Sequence, residues 1–203
     1  MCVVCYFYYV NNGGIVMMCI YDFDKTIYDG DSTIDFVFYC FKINKKCLLI
    51  IPYFIISVFL YLIKIYNKEQ MKSALFKVIT YFENKDELVE NFWIINERKI
   101  KKFYSENKKE SDIVISASPE FLIFPMASKL GFKLIGTKVD LKTGRIIGKN
   151  CHGSEKVKRL NEIGIKSCDE FYSDSKSDTP MAMIANKSYI VKGENFYSWE
   201  LNK

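Results

Sequence analysis

The sequence predicts an α/β fold: a parallel β-sheet covered by helices and split by a helical insertion. Three observations predict it. From Ser111 onward, short apolar runs alternate with segments of helical spacing. One further strand-like run, Cys19-Ile20-Tyr21, stands upstream and ends in two carboxylates. Between the two regions, residues 32–108 show only helical spacing.

The elements follow in order. The run at 19–21 is a buried strand, and Asp29-Gly30 is a turn. Ser32 or Asp31 can cap a helix over 33–41. Residues 48–65 form a long apolar stretch, and 69–82 and 85–103 carry apolar residues three and four apart. A βα pattern then runs through a strand at 113–115, a helix at 119–130, a strand at 133–139, a helix at 155–163, a strand at 170–172, a helix at 179–185 and a strand at 188–191. Within it, the segment from Val139 to Ile146 reads as a hairpin turning at Thr143-Gly144. Ser118 is expected to cap the helix after it, with Pro119 at the first position and Glu120 in the first turn. The division is therefore a core of residues 17–31 and 109–203 and a helical insertion of 32–108.

The chain of 203 residues suits one domain plus an insertion, and 49% hydrophobic content excludes a disordered chain. The net charge of +5 comes mostly from lysines scattered along helical patterns; Arg98, Arg145 and Arg159 are the arginines. Solvated helix faces account for these lysines, so no nucleic-acid partner is expected. Seven cysteines without repeated spacing indicate a reduced, cytoplasmic chain. Cys2 and Cys5 form half of a zinc-type spacing without a second half. No basic residue precedes the apolar run from Val3 to Val10, which argues against a secretory signal. Gly13-Gly14 can be encoded by a ribosome-binding sequence shortly before Met17 and Met18. The expectation is that translation starts natively at one of these methionines and that 1–16 is a non-native leader.

The stretch 47–63 contains no charge and is flanked by Lys46 and Lys64. It is at the short end of membrane-spanning length. Pro52 lies near its start, and Tyr53, Tyr61 and Tyr66 lie towards its ends, as interfacial aromatics do. Two readings stand: a helix buried in the core of the insertion, or peripheral membrane contact, which would make the chain membrane-associated.

Asp22 and Asp24 are two apart at a strand end, where α/β sheets bind ligands. Held together, the two carboxylates repel, and a cation beside them relieves the conflict. One carboxylate can attack while the other handles a proton.

Four segments now carry a resemblance. Asp22-Phe23-Asp24-Lys25-Thr26 after its strand, Ser116 ending Ile113-Val114-Ile115, Lys156 at a helix start, and Asp174-Ser175-Lys176-Ser177-Asp178 after Phe171-Tyr172-Ser173 resemble, in order, the four motifs of the haloacid dehalogenase superfamily. The resemblance spans 19–178 and points to the phosphoserine phosphatase-like branch. It implies a Rossmann-like parallel sheet core with an inserted α-helical cap that closes over the site. It implies Asp22 as nucleophile, Asp24 as general acid and base, and Ser116, the Ala117 amide and Lys156 as phosphate ligands. Mg²⁺ would be held by Asp22, Asp174 and the backbone carbonyl of Asp24, with Thr26 and Asp178 in support. Family members often have Gly where this chain has Ser173. Asp31, nine residues after the nucleophile, has the spacing of a substrate-amine contact, although it also suits a helix N-cap. Lys25, Lys158 and Arg159 read as surface charges, and His152 as a loop residue near the site.

The function implied is a Mg²⁺-dependent phosphomonoester hydrolase. Its substrate is a small phosphorylated metabolite or a lipid phosphate, such as phosphatidylglycerophosphate. Phosphoryl transfer to another acceptor, as in a mutase, and a non-catalytic binding protein are the alternatives.

Overall fold

The computed structural model describes residues 17–200. The leader reading of 1–16 and the Cys2/Cys5 spacing lie outside them. β1 (Cys19–Tyr21) leads through an acidic loop into the helical insertion. The insertion comprises α1 (Ser32–Ile43), a 3-10 turn over Lys45–Leu49, α2 (Ile50–Leu62), α3 (Lys68–Phe76), a 3-10 turn over Lys77–Tyr81, α4 (Lys85–Asn96) and α5 (Lys102–Asn107). Then come β2 (Ile113–Pro119), α6 (Glu120–Leu130), β3 (Lys133–Thr137), the short pair β4 (Val139–Asp140) and β5 (Arg145–Ile146), and α7 (Ser154–Glu162). β6 (Cys168–Ser173), a 3-10 turn over Lys176–Asp178, α8 (Thr179–Ala182), β7 (Ala185–Lys192) and β8 (Asn195–Ser198) complete the described chain.

Six strands form one sheet in the order β3-β2-β1-β6-β7-β8, parallel except for the antiparallel β7–β8 pair. The chain runs outward from β1 through β2 to β3, then crosses back to β6 on the other side. The strand order therefore reverses at β1, and the crevice beyond the ends of β1, β2 and β6 is where such sheets bind ligands. β2 is buried along almost its whole length. That explains its apolar, non-alternating sequence, since a parallel sheet is covered on both faces.

Successive strand residues feed opposite faces. Tyr21, Val114 and Tyr172 join a cluster with Phe23, Phe36, Phe92 and Trp93. Ile20, Ile113 and Phe171 join Leu160, Met181 and Trp199 on the other face. The first cluster runs from the sheet into the insertion: Trp93 of α4 packs edge-on against Phe23 and Tyr28, and its indole N–H donates to Leu122 O at 2.6 Å. The aromatic core thus fixes α1 and α4 against the acidic loop.

Four expectations need correction. The helix expected over 85–103 breaks at Ile100 and Lys101, which are extended; Ile100 bridges to Tyr28, and the Lys101 N–H donates to Ile27 O at 2.8 Å. Pairing with the acidic loop outweighs helical propensity there. The helix expected over 179–185 ends at Ala182, and β7 starts earlier than expected and returns through Gly193 into β8. Ser118 does not cap α6: Pro119 occupies the N-cap without a side-chain bond, and the Ser118 hydroxyl is engaged by Asp24 and Thr33. The apolar stretch is not a buried core helix, because α2 buries only Ile50 and Ser57.

The expected hairpin is present, and Gly144 decides its fit. Its φ is +70°, and a Cβ there would sit 2.7 Å from the Lys77 backbone nitrogen. This contact lets β5 abut α3, where the Ile146 N–H donates to Ser73 Oγ at 3.0 Å. Gly144→Ala is expected to cost about 1–3 kcal/mol, because packed backbone must move. Gly148 is the control: it has a similar φ of +74° but nothing within 4 Å of an added Cβ. Thermal melts of both alanine variants check this. Equal losses would mean that the backbone conformation alone, and not the close approach, requires glycine.

Candidate active site

The ends of β1, β2 and β6 and the start of α7 converge. The Asp22 N–H donates to Tyr172 O at 2.8 Å, which sets the nucleophile candidate beside the end of β6. Lys156, in the first turns of α7, is 1% exposed. Its ammonium donates to Asp22 Oδ1 at 2.6 Å and to Asp178 Oδ2 at 2.7 Å. Ser173 Oγ also donates to Asp178 Oδ2, at 2.9 Å, and accepts from the Ser175 N–H at 3.2 Å. The residue that departs from the family's usual glycine therefore ties the acidic loop after β6 together.

Asp24 is held differently. Its Oδ1 accepts from the Ser32 N–H at 2.7 Å, at the start of α1, and its Oδ2 accepts from the Ser118 hydroxyl. Ser118 Oγ is also 2.8 Å from Thr33 Oγ1. The Asp24 carboxyl thus joins the insertion to the sheet. Thr26 Oγ1 accepts from the Asp174 N–H at 2.9 Å, linking the loops after β1 and β6. Lys25 is forced to a φ of 59°, uncommon for a residue with a Cβ, and its carbonyl accepts from the buried Lys101 ammonium.

The electrostatics follow from two buried carboxylates around one ammonium. Burial pushes the Asp22 carboxyl well above its usual range; Lys156 opposes this and Asp178 reinforces it. Burial alone would lower Lys156, but the charges of Asp22 and Asp178 outweigh it and hold the ammonium above its ordinary range. Asp24 is raised by burial and by Asp31, against its bonds from Ser118 and Ser32. Asp174 is raised by burial, against the pull of Lys25.

Ser116 lies buried at the end of β2, its Oγ accepting from the Ser118 N–H at 3.1 Å. The Ala117 carbonyl accepts from Thr137 Oγ1 at 2.9 Å. Asp31 Oδ1 caps α1 by accepting from the Ile34 N–H at 3.0 Å, so its N-cap role is the one with a visible bond. His152 packs beside the site, its ring lowered by burial and by nearby Lys68. Arg159 is not a loose surface charge: it donates to the carbonyls of Gly136 and Lys149.

Three contributors escaped sequence reasoning. Ser118 stands where a helix cap is expected, and Lys101 lies within the segment 85–103 expected to be helical. Lys72 of α3 reaches across from the insertion, donating to Asn150 Oδ1 at 3.0 Å and to Ala117 O at 3.4 Å. Burial and Lys68 lower its pKa, while Asp31 and Asp24 raise it. Its sequence signal is weak: Lys68 and Lys72 are one helical turn apart.

The residues present suit a hard divalent cation. The donors near Asp22 are carboxylate oxygens, they outnumber the ammonium, and Asp178 Oδ1 is buried without a hydrogen-bond partner. Among the described residues, no three His, Cys, Asp or Glu side chains gather into a site of their own.

A family model described as haloacid dehalogenase-like hydrolase matches residues 19–183. Protein CicA of Caulobacter vibrioides (strain NA1000 / CB15N) is 36% identical over 88 residues, covering 39% of this chain and 40% of that protein. The chain thus spans about 40% of the length of the curated relatives it matches. A solved protein of unknown function from Bordetella pertussis Tohama I superposes with a TM-score of 0.70 at 17% identity, covering 86% of this chain and 89% of that one. A substrate-bound phosphoserine phosphatase follows with a TM-score of 0.59 at 16% identity, covering 86% and 85%. A phospho-aspartyl intermediate analogue of phosphoserine phosphatase gives 0.57 at 18%, covering 85% and 84%. At these identities the solved structures establish a shared fold, an α/β core with a helical cap. The family model covers most of the sequence and includes every strand end that meets at Asp22, so this chain belongs to the haloacid dehalogenase-like hydrolases.

Proposed function

We propose that the protein is a Mg²⁺-dependent phosphomonoester hydrolase acting through an aspartyl-phosphate on Asp22. The observation that carries the reading is the buried Lys156 ammonium shared by Asp22 and Asp178 at the sheet's switch point. An anion must approach a phosphate dianion, and at ~4 Å two unit charges repel by ~4 kcal/mol at an intermediate dielectric. Lys156 offsets part of that repulsion.

The Asp22 carboxylate oxygen forms the new bond to phosphorus as the ester oxygen leaves. Asp24, whose carboxyl is shifted towards the protonated form by burial, gives its proton to that oxygen. Asp24 then takes a proton from water as the water attacks the aspartyl-phosphate, releasing phosphate and restoring Asp22. Ser116 Oγ and the Ala117 amide would hold phosphate oxygens, and Asp178 keeps Lys156 aimed at Asp22. A Mg²⁺ ion would be held by Asp22, Asp174 and the Asp24 carbonyl, and when bound it neutralises charge on the phosphoryl group. Asp22 is only 8% exposed, so the α-helical cap must open for substrate to reach it. The described cysteines are buried and unpaired, which supports a cytoplasmic enzyme.

Lys72 is proposed as the cap's contact to the substrate anion. Lys72→Met is expected to lower kcat/KM about 10- to 100-fold, mainly through KM, as for loss of a charged hydrogen bond worth about 1.5–3 kcal/mol. Steady-state kinetics check this; an unchanged KM would remove Lys72 from the substrate site.

The function itself is tested by a hydrolysis screen with Mg²⁺ over phospho-amino acids, sugar phosphates, nucleotides and lipid phosphates. Release of phosphate from at least one class, abolished by a chelator, is expected. No release from any class would overturn the reading.

A further inference from the structure

We propose that α2 is an interfacial helix that docks the protein onto an anionic lipid bilayer. From Lys45 to Leu62 the chain is apolar enough to enter a membrane, yet only 17% of that window is buried. Leu49, Ile55, Ile56, Phe59, Leu62 and Ile65 are 55–69% exposed. Ile55, Phe59 and Leu62 recur at four- and three-residue spacing, so they form one outward stripe. A contiguous exposed apolar surface of this kind marks an interaction site. The one hydroxyl within α2 besides its tyrosines, Ser57, satisfies itself on Tyr53 O at 2.9 Å.

Charge identifies the occupant. Residues 36–68 contain five lysines, at 42, 45, 46, 64 and 68, and no aspartate or glutamate. Lys42, Lys45 and Lys46 lie exposed before α2, and Lys64 lies exposed just after it. An apolar stripe rimmed by cations matches anionic headgroups over acyl chains. Tyr53 and Tyr61, both 38% exposed, are amphipathic side chains suited to that boundary. A second copy fits poorly, because a two-fold interface would set this basic rim against itself.

The helix lies on the bilayer and does not span it. By length alone the 18-residue segment Lys45–Leu62 could cross a membrane, so its orientation follows from where its ends go. Both flanks return to the same body: α1 packs in the core, and α3 carries Lys72 to the site. α2 packs directly on α3, so the bilayer would lie close behind the helix that faces the substrate.

Sedimentation of the full chain with vesicles tests this, whether or not the protein turns over a phosphoester. Binding to vesicles of equal parts phosphatidylcholine and phosphatidylglycerol is expected, with weaker binding to phosphatidylcholine alone and a decline as salt rises. The combined variant Ile55→Gln, Phe59→Gln and Leu62→Gln should bind at least about tenfold less, while its thermal melt and its hydrolysis of a soluble phosphomonoester stay unchanged. Equal binding by the variant would overturn the proposal, as would no binding by the native chain. A dimer that the variant dissociates, without vesicle binding by either form, would assign the stripe to a second copy instead.

Discussion

Asp22→Asn is expected to abolish phosphomonoester hydrolysis, lowering kcat by about 10⁴-fold or more as for other covalent nucleophiles. In the absence of divalent metal it is also expected to raise the melting temperature at neutral pH. The first effect is loss of the nucleophile; the second comes from the charge balance of the pocket. Asp22 is buried with Asp178 around a single ammonium, so the pocket holds one negative charge too many until a cation or a proton arrives. The amide removes that surplus and leaves Lys156 paired with Asp178.

The pH dependence follows from the direction of the shift. Burial, opposed by Lys156 and reinforced by Asp178, pushes the Asp22 carboxyl up to about 7. The folded chain therefore binds this proton more tightly than the unfolded chain does. The stability from protonated Asp22 is complete below the usual carboxylate value of ~4 and is lost as pH rises through about 7. The variant titrates no group there, so its advantage in melting temperature should open across that window. Melts at several pH values in chelator check it; a gap that does not widen with pH would mean that Asp22 carries no excess charge.

Lys156→Met is the second large effect. It leaves Asp22 and Asp178 buried side by side without their shared cation. Breaking a buried ion pair from one side costs about 3–5 kcal/mol, and loss of the cation facing the phosphoryl group should reduce kcat by about 10²–10³-fold or more. Urea unfolding and steady-state rates measure the two losses. Adding Asp178→Asn to Lys156→Met should restore part of the stability and none of the activity. Stability losses that simply add would mean that the two side chains do not form one unit.

The sheet and the strand-end residues were legible in the sequence for a physical reason. Parallel strands buried on both faces must be apolar runs, so Asp22 and Ser116, which stop such runs, and Asp174, just past Phe171-Tyr172-Ser173, stand out at the mouth of the sheet. Lys156 was legible only through the resemblance, which asks for a lysine at a helix start. Lys72 and Lys101 were not, since a lysine on a helix looks the same facing solvent or the site until the packing of α3 and the extended break at Ile100 orient it. Ser118 was misread because its sequence position before Pro119 is that of a cap, while its hydroxyl is claimed by Asp24 across the sheet. β8 escaped because its turn, Gly193-Glu194, follows a strand that already looked complete. The exposure of α2 was equally hidden: a segment apolar on every side has no periodicity to say which face is covered.

The central claim is that the reacting phosphoryl group passes through Asp22. Acid-quenched turnover followed by peptide mass spectrometry tests it directly, with borohydride reduction used to mark an acyl-phosphate. The account predicts a labile phosphoryl group on the peptide containing Asp22, reduction at residue 22, and no label in Asp22→Asn. Label on another residue, or undiminished turnover by Asp22→Asn, would contradict it.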